Sequence, residues 1–204
     1  MGETVILANG EFPAHPVPVA ILKGAARIIC CDGATGSLIR AGFEPFAIVG
    51  DCDSVDEETA KKFSDRLFRS EEQETNDLTK AVKWCHEKGF NDVVILGATG
   101  KREDHTIGNI SLLADYTTYI RVRMVTDYGT FHPLTAPGSF KANQGRQISI
   151  FSIDPETAIS SEGLKYPLRN LKLTNWWQAT LNEAVGESFS LNFEGGTLIV
   201  FIAF

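Results

Sequence analysis

Four short apolar runs in the first hundred residues each end at a polar residue or a glycine: Val5 to Ala8 before Asn9 and Gly10, Ile28 to Cys31 before Asp32, Phe46 to Val49 before Gly50 and Asp51, and Val93 to Leu96 before Gly97. Continuous rather than alternating hydrophobicity over so few residues predicts parallel strands buried on both faces. Helical patterns fill the gaps. Ala34 to Ala41 stops at Gly42, and Ser54 with Glu57 forms a capping box for a helix reaching about Leu67. Thr75 or Asn76 caps a helix that carries Leu78, Ala81, Val82 and Cys85 and stops at Gly89. A further helix from near Asp104 sets Ile107, Ile110 and Leu113 on one face and leads into an alternating strand at Tyr119 to Val125. This β-α alternation predicts an α/β fold whose N-terminal domain is a doubly wound, mostly parallel sheet.

The pattern changes near Thr126. Asp127, Tyr128 and Gly129, then Pro133, Pro137 and Gly138, read as a turn-rich connection with no helix behind it. Beyond it the β-like runs Gln147 to Ile153, Phe189 to Phe193 and Thr197 to Phe204 are separated by Gly, Asn and Pro clusters. A small C-terminal antiparallel β-sandwich domain follows, with the division placed at 1–130 and 131–204.

Composition narrows the partners. With 43% hydrophobic residues, the 204-residue chain has material for one large or two small cores. A net charge of −7 offers no basic footprint for nucleic acid or an anionic membrane, so small molecules are the expected ligands. Cys30, Cys31, Cys52 and Cys85 lack paired-ligand spacing, which argues against zinc. No signal-like segment and no apolar run of spanning length occurs, and a reduced, cytoplasmic protein is expected.

In open α/β sheets ligands bind beyond the carboxyl ends of the strands, where Asn9, Asp32, Asp51, Asp53 and Gly97 to Gly100 collect. Asp51 and Asp53, two apart, either crowd a hard cation such as magnesium or serve as turn and cap residues. Asp77 in a first helical turn either suits the macrodipole or reaches a metal, and Lys80 either pairs with it along the helix or faces a ligand. Gly97 to His105 is a glycine-bearing strand-to-helix turn followed by Lys101, Arg102, Asp104 and His105. Such a turn presents backbone N–H groups to phosphate and Arg102 grips it bidentately, unless the segment is a plain turn with a solvated basic pair. It is not a Walker A loop, because Ile95 stands where its first glycine belongs and Arg102 where its Ser or Thr belongs.

Taken together, Cys31-Asp32-Gly33-Ala34, Gly50-Asp51-Cys52-Asp53-Ser54, Gln73 through Lys80 and Gly97 through His105 resemble the thiamine pyrophosphokinase family, and the likeness continues through Asn109 to Gly163-Leu164-Lys165-Tyr166-Pro167-Leu168. The resemblance implies attack of the thiamine alcohol on the β-phosphorus of ATP, a cosubstrate, with AMP leaving. It further implies magnesium on Asp51, Asp53 and Asp77, a catalytic group that adds Asp104, and a nucleotide pocket from Asn9, Asp32, Gln73, Lys80, Arg102, Asp104 and His105. Thiamine contacts would come from Tyr166 and Asn182. The family is a homodimer whose active site joins the α/β domain of one subunit to the sandwich of the other; the apolar run Leu198 to Phe204 is compatible with that, and equally with burial in its own sandwich. Three positions depart from the pattern in the catalytic half and after it: Cys52 for a bulkier residue, Glu74 for Asp and Tyr166 for Trp. The late Thr-Ser-Asn element survives as Thr180-Leu181-Asn182, beside Trp176 and Trp177, which either fill the sandwich core or stack on a substrate ring. A pyrophosphokinase for another alcohol such as a pterin, a metal-dependent phosphoanhydride hydrolase and a binding sensor without turnover are the rival readings.

Overall fold

The computed structural model describes residues 2–70, 72 and 74–204. The chain divides into two units, one holding residues up to 112 with 118–127, the other 113–117 with 128–204.

In the first unit β1 (Thr4–Leu7), β2 (Arg27–Cys31), β3 (Ala47–Gly50), β4 (Leu67–Arg69), β5 (Asp92–Leu96) and β6 (Arg121–Val125) pair in parallel, in the order β6-β5-β1-β2-β3-β4. Register brings Leu7 level with both Cys30 and Leu96, so the residues that follow these strands emerge along one edge. The strands are buried on both faces, as their apolar runs predict: Val5, Leu7, Cys30 and Leu96 share a core with Leu22 and Leu38, while the alternating Ile6, Ile29 and Ile95 are fully buried toward the other face. Leu22 belongs to α1 (Pro16–Lys23) and Leu38 to α2 (Thr35–Arg40), and α4 (Asp77–Glu87) packs over β1, β2 and β3.

Four local features differ from the sequence reading. The pattern does not single out α1, yet His15 Nδ1 accepts from the Val17 N–H at 3.3 Å and Pro16, lacking an N–H, fits the first helical position. Asp56, not Ser54, caps α3 (Glu57–Lys62), because its carboxylate accepts from both the backbone N–H (2.9 Å) and the hydroxyl (2.8 Å) of Thr59. That helix stops at Phe63, and a single 3-10 turn at Ser64–Arg66 feeds edge strand β4, where helix was expected as far as Leu67. In α5 (Glu103–Tyr116) Leu113 is buried but Ile107 is 58% exposed, so the expected apolar stripe does not extend to the first turns.

The second unit is a sandwich. One antiparallel sheet runs through β12 (Asn182–Glu183), β9 (Gln147–Ser152), β14 (Leu198–Ala203) and β7 (Gly129–Leu134); the other runs through β11 (Leu171–Lys172), β10 (Ala158–Glu162), β13 (Ser188–Phe193) and β8 (Gly138–Lys141). Ile148, Ile150, Leu198 and Val200 from the first meet Ile159, Phe189, Leu191 and Phe193 from the second. β7 forms where a turn-rich connection was expected, since Phe131 packs on Phe201 of β14 at 4.6 Å despite Pro133. Trp176 and Trp177 are not core residues: they are 41% and 74% exposed, and Trp176 only meets Phe151 edge-on. Among the described residues no helix is long and apolar enough to cross a membrane.

Candidate active site

In the first unit the chain reverses its direction of growth at β1, with β2 to β4 on one side and β5 and β6 on the other. Diverging connections at such a switch point leave a crevice beyond the strand ends. A cleft of ≈ 310 Å³ lies there, and Asn9, Asn76, Asp77, Thr99, Arg102 and His105 are among its walls.

One wall is the turn after β5. Gly97 (φ +64°) and Gly100 (φ +95°) adopt left-handed conformations, which glycine enters without steric cost. The turn is laced to the exit of β1: the Gly10 N–H donates to the Gly97 carbonyl and the Glu11 N–H to that of Thr99 (2.7 Å). A Cβ on Gly10 would stand 2.4 Å from both carbonyl oxygens, so only glycine permits this approach. Lys101 Nζ donates to Asn9 Oδ1 at 3.1 Å. Arg102 donates through its fork to the Asp104 carboxylate, which also accepts the His105 N–H at 2.8 Å. These bonds, Arg102 first, hold the exposed Asp104 carboxyl down at about 2.

The carboxylates follow β2 and β3. Asp32 follows β2 and is 2% exposed; its Oδ1 accepts the Gly33 N–H at 2.6 Å, while Oδ2 is buried with no hydrogen-bond partner among the described residues. Burial first, then the negative charge of Asp77 and the adjoining Asp51, push its carboxyl up to about 6. Gly50 makes room for it, because a Cβ there would lie 2.7 Å from the Asp32 carboxyl carbon. Asp51 is held below the usual carboxylate range, chiefly by the Asp53 N–H on its Oδ1 (3.1 Å) and next by the neighbouring Asp32 carboxyl. Between them Cys52 sits at φ +64°, a backbone conformation that costs a side-chain-bearing residue about 1–2 kcal/mol.

Asp77 opens α4, whose cap is Asn76: Asn76 Oδ1 accepts the Thr79 N–H at 2.9 Å. Lys80 pairs with Asp77 at 3.3 Å, with its own side chain only 6% exposed. The pairing along the helix is thus realised, and Lys80 is absent from the cleft wall. Asp53 stands exposed and Gln73 lies outside the described residues. Among the described residues no group of three or more His, Cys, Asp or Glu side chains is gathered tightly enough to hold a metal alone. The donor chemistry nevertheless fits a hard cation: Asp32 feels both Asp51 and Asp77, and one buried carboxylate oxygen has no donor.

Of the residues singled out from the sequence, Asn9, Asp77, Arg102 and His105 line one cleft, while Asp32, Asp51, Asp53 and Asp104 are not among its walls. Sequence reasoning missed Asn76 as more than a cap, and the contribution of Asn109, whose amide reaches both Asn76 (3.2 Å) and the Ala98 carbonyl (2.8 Å). A pair 33 residues apart leaves no local signal. In the sandwich, Asn182 is 3% exposed and bonded to backbone: it accepts from Tyr166 N–H (3.1 Å) and Glu183 N–H (2.9 Å) and donates to the Tyr166 carbonyl (2.7 Å). Tyr166 itself is 63% exposed.

Residues 19–124 match the description "Thiamin pyrophosphokinase, catalytic domain" and residues 129–201 match "Thiamin pyrophosphokinase, substrate-binding domain". The chain belongs to the thiamin pyrophosphokinase family. Within that family it is 30% identical over 180 residues to the thiamine pyrophosphokinase of Bacillus subtilis (strain 168), covering 83% of each chain. It is 28% identical over 184 residues to thiamin pyrophosphokinase 1 of Caenorhabditis elegans, covering 82% of this chain and 75% of that one. The crystal structure of the Bacillus subtilis enzyme superposes with a TM-score of 0.79 at 25% identity, over 98% of both chains. The Candida albicans thiamin pyrophosphokinase shares the fold, with a TM-score of 0.81 at 20% identity over 99% of this chain and 89% of that one.

Proposed function

We propose that the protein is a thiamine diphosphokinase that transfers the diphosphoryl group of ATP to the hydroxyl of thiamine, giving thiamine diphosphate and AMP. The observation that carries this reading is the cleft at the β1/β5 reversal, where a glycine turn with Arg102 faces Asp77, in a chain matched by both domains of the family. In the reaction a bond forms between the thiamine oxygen and the β-phosphorus, and the bond to the bridging oxygen of the α-phosphate breaks. Such a transfer needs charge neutralisation and in-line placement more than covalent help.

The backbone N–H groups of the 97–100 turn and the start of α5 would cradle phosphate oxygens. Arg102, held by Asp104, supplies a pre-oriented cationic fork, and Asn9 with Lys101 borders the same wall. Asp32, Gln73 and His105 complete the nucleotide side. Lys80 pairs with Asp77 from outside the cleft wall and fixes the direction of that carboxylate. Asp51, Asp53 and Asp77 would hold magnesium, which when bound neutralises the triphosphate. Residues 1–130 form the catalytic domain in this reading, and residues 131–204 supply thiamine binding and dimerisation. Asn182 sets the backbone of Tyr166, whose ring is the part free to meet a substrate. A cytoplasmic homodimer with an active site shared between subunits completes the proposal.

One feature favours a second acceptor, such as a pterin alcohol. Leu181 is 70% exposed at φ +56°, beside the exposed Trp177, where the family pattern has a serine. Thiamine-dependent release of AMP from magnesium–ATP, with thiamine diphosphate as coproduct, tests the reading; turnover with a pterin alcohol but not thiamine would replace its substrate.

A further inference from the structure

Three side-chain amide contacts run in series across the cleft of the first unit. The Thr79 N–H donates to Asn76 Oδ1 (2.9 Å), Asn76 Nδ2 donates to Asn109 Oδ1 (3.2 Å), and Asn109 Nδ2 donates to the Ala98 carbonyl (2.8 Å). One end of the series is the first turn of α4, which carries Asp77; the other is the glycine turn that leads to Arg102. Each amide presents its oxygen to a donor and its nitrogen to an acceptor, so neither can flip without facing like against like. Asn76 and Asn109 both line the cleft, yet these amide groups are occupied by each other and by backbone.

We infer that Asn76 and Asn109 form a positioning brace that fixes the distance between the carboxylate Asp77 and the phosphate-gripping turn. The inference rests on the proposed diphosphoryl transfer, in which the cation side and the phosphate side of the cleft must be held in one geometry. The turn's other side is tied to the exit of β1 through Gly10, Glu11 and Asn9, and among the described residues the brace joins it to α4. Without it the two walls keep their folds but lose their mutual spacing. Displacement of this kind costs in-line transfer most and, to a smaller degree, the affinity for magnesium–ATP, which both walls would grip together.

Capping and bracing are separable at Asn76. Asn76→Asp retains a good N-cap for Thr79 but removes the donor to Asn109. Asn109→Ala removes both contacts of the second amide. Each variant is expected to lower kcat about 100-fold, with the KM for thiamine nearly unchanged. Asn76→Asp should keep the melting temperature of the wild type, which separates its loss of turnover from a loss of fold. The double variant should be no slower than the worse single variant, because the brace breaks once. Independent, multiplicative losses, or a wild-type kcat in Asn76→Asp, would overturn the brace. Should Asn109→Ala fail to fold, Asn76→Asp alone decides. A wild-type protein that makes no thiamine-dependent AMP overturns the reaction reading instead, and the same cycle read as magnesium–ATP affinity by calorimetry then decides the brace: non-additive weakening supports it and additive or absent weakening overturns it.

Discussion

The two units use polar residues in opposite ways. In the α/β unit the strands end in buried apolar residues and deliver Asn9, Asp32, Asp51 and the 97–105 turn to one edge, where Asp32 retains a buried oxygen without a partner among the described residues and Arg102 stays exposed in its pair with Asp104. In the sandwich the one buried candidate, Asn182, spends its oxygen and one amide N–H on the backbone of Tyr166 and Glu183, while exposed groups close in sequence are Tyr166, Trp177 and Leu181. The first unit stores unsatisfied charge and the second stores exposed apolar surface. Charge of that kind suits phosphate and a cation, whereas apolar surface suits an uncharged ring or another protein surface.

Removing the charge should have the largest effect. Asp77→Asn is expected to lower kcat by about 100- to 1,000-fold. It should also destabilise the fold modestly, because the buried Lys80 ammonium then loses its anionic partner. An Asp77→Asn protein with wild-type turnover would remove this residue from the catalytic group. Gly10→Ala tests the backbone half of the same wall. Its Cβ would collide with the Gly97 and Thr99 carbonyls, so a loss of about 1–3 kcal/mol in denaturant unfolding and a raised KM for ATP are expected.

The contrast predicts a different response in the sandwich. Asn182→Ala should cost about 2–3 kcal/mol of stability through the stranded backbone groups. Tyr166→Ala should leave stability alone and raise the KM for thiamine only. A Tyr166→Ala protein with unchanged KM would break the comparison on the sandwich side.

Asp32 gives a pH-dependent test. Its folded carboxyl, raised to about 6, binds a proton more tightly than in the unfolded chain, so stability falls as pH rises from the ordinary carboxylate range and the penalty is complete above about 6. Without divalent metal, Asp32→Asn should melt above the wild type at pH 7.5, and the gap should close near pH 4. The smallest effect belongs to Asp104, which is solvent-exposed. Its depressed carboxyl contributes stability that is present above the ordinary carboxylate pKa and lost as pH falls through about 2. Urea titrations of wild type and Asp104→Asn should differ slightly at pH 5 and converge in strong acid.

The strand ends were legible because burial on both faces forces unbroken apolar runs, and a polar residue must follow where the strand leaves the core. β4 was not, since three residues between a short helix and a turn carry no period, and Leu67 and Phe68 read equally well as the end of α3. The cap of α3 was misread because Asp56 outcompetes Ser54 through two bonds to Thr59, a choice visible only in three dimensions. The cleft positions of Asn9 and Arg102, each within two residues of a glycine, were readable from chemistry plus position. Asn182 looked like a ligand group because sequence shows an amide's capacity, not whether backbone has already consumed it. Trp176 and Trp177 show the reverse: an aromatic pair in a β region suggests core, and here the loop holds both at the surface.

The central claim is tested most directly by AMP release from magnesium–ATP, measured with thiamine, with a pterin alcohol and with no acceptor. AMP appearing only with thiamine, in equal amount with thiamine diphosphate, is the predicted result. AMP or inorganic phosphate released equally without an acceptor would contradict diphosphoryl transfer and make the cleft that of a hydrolase.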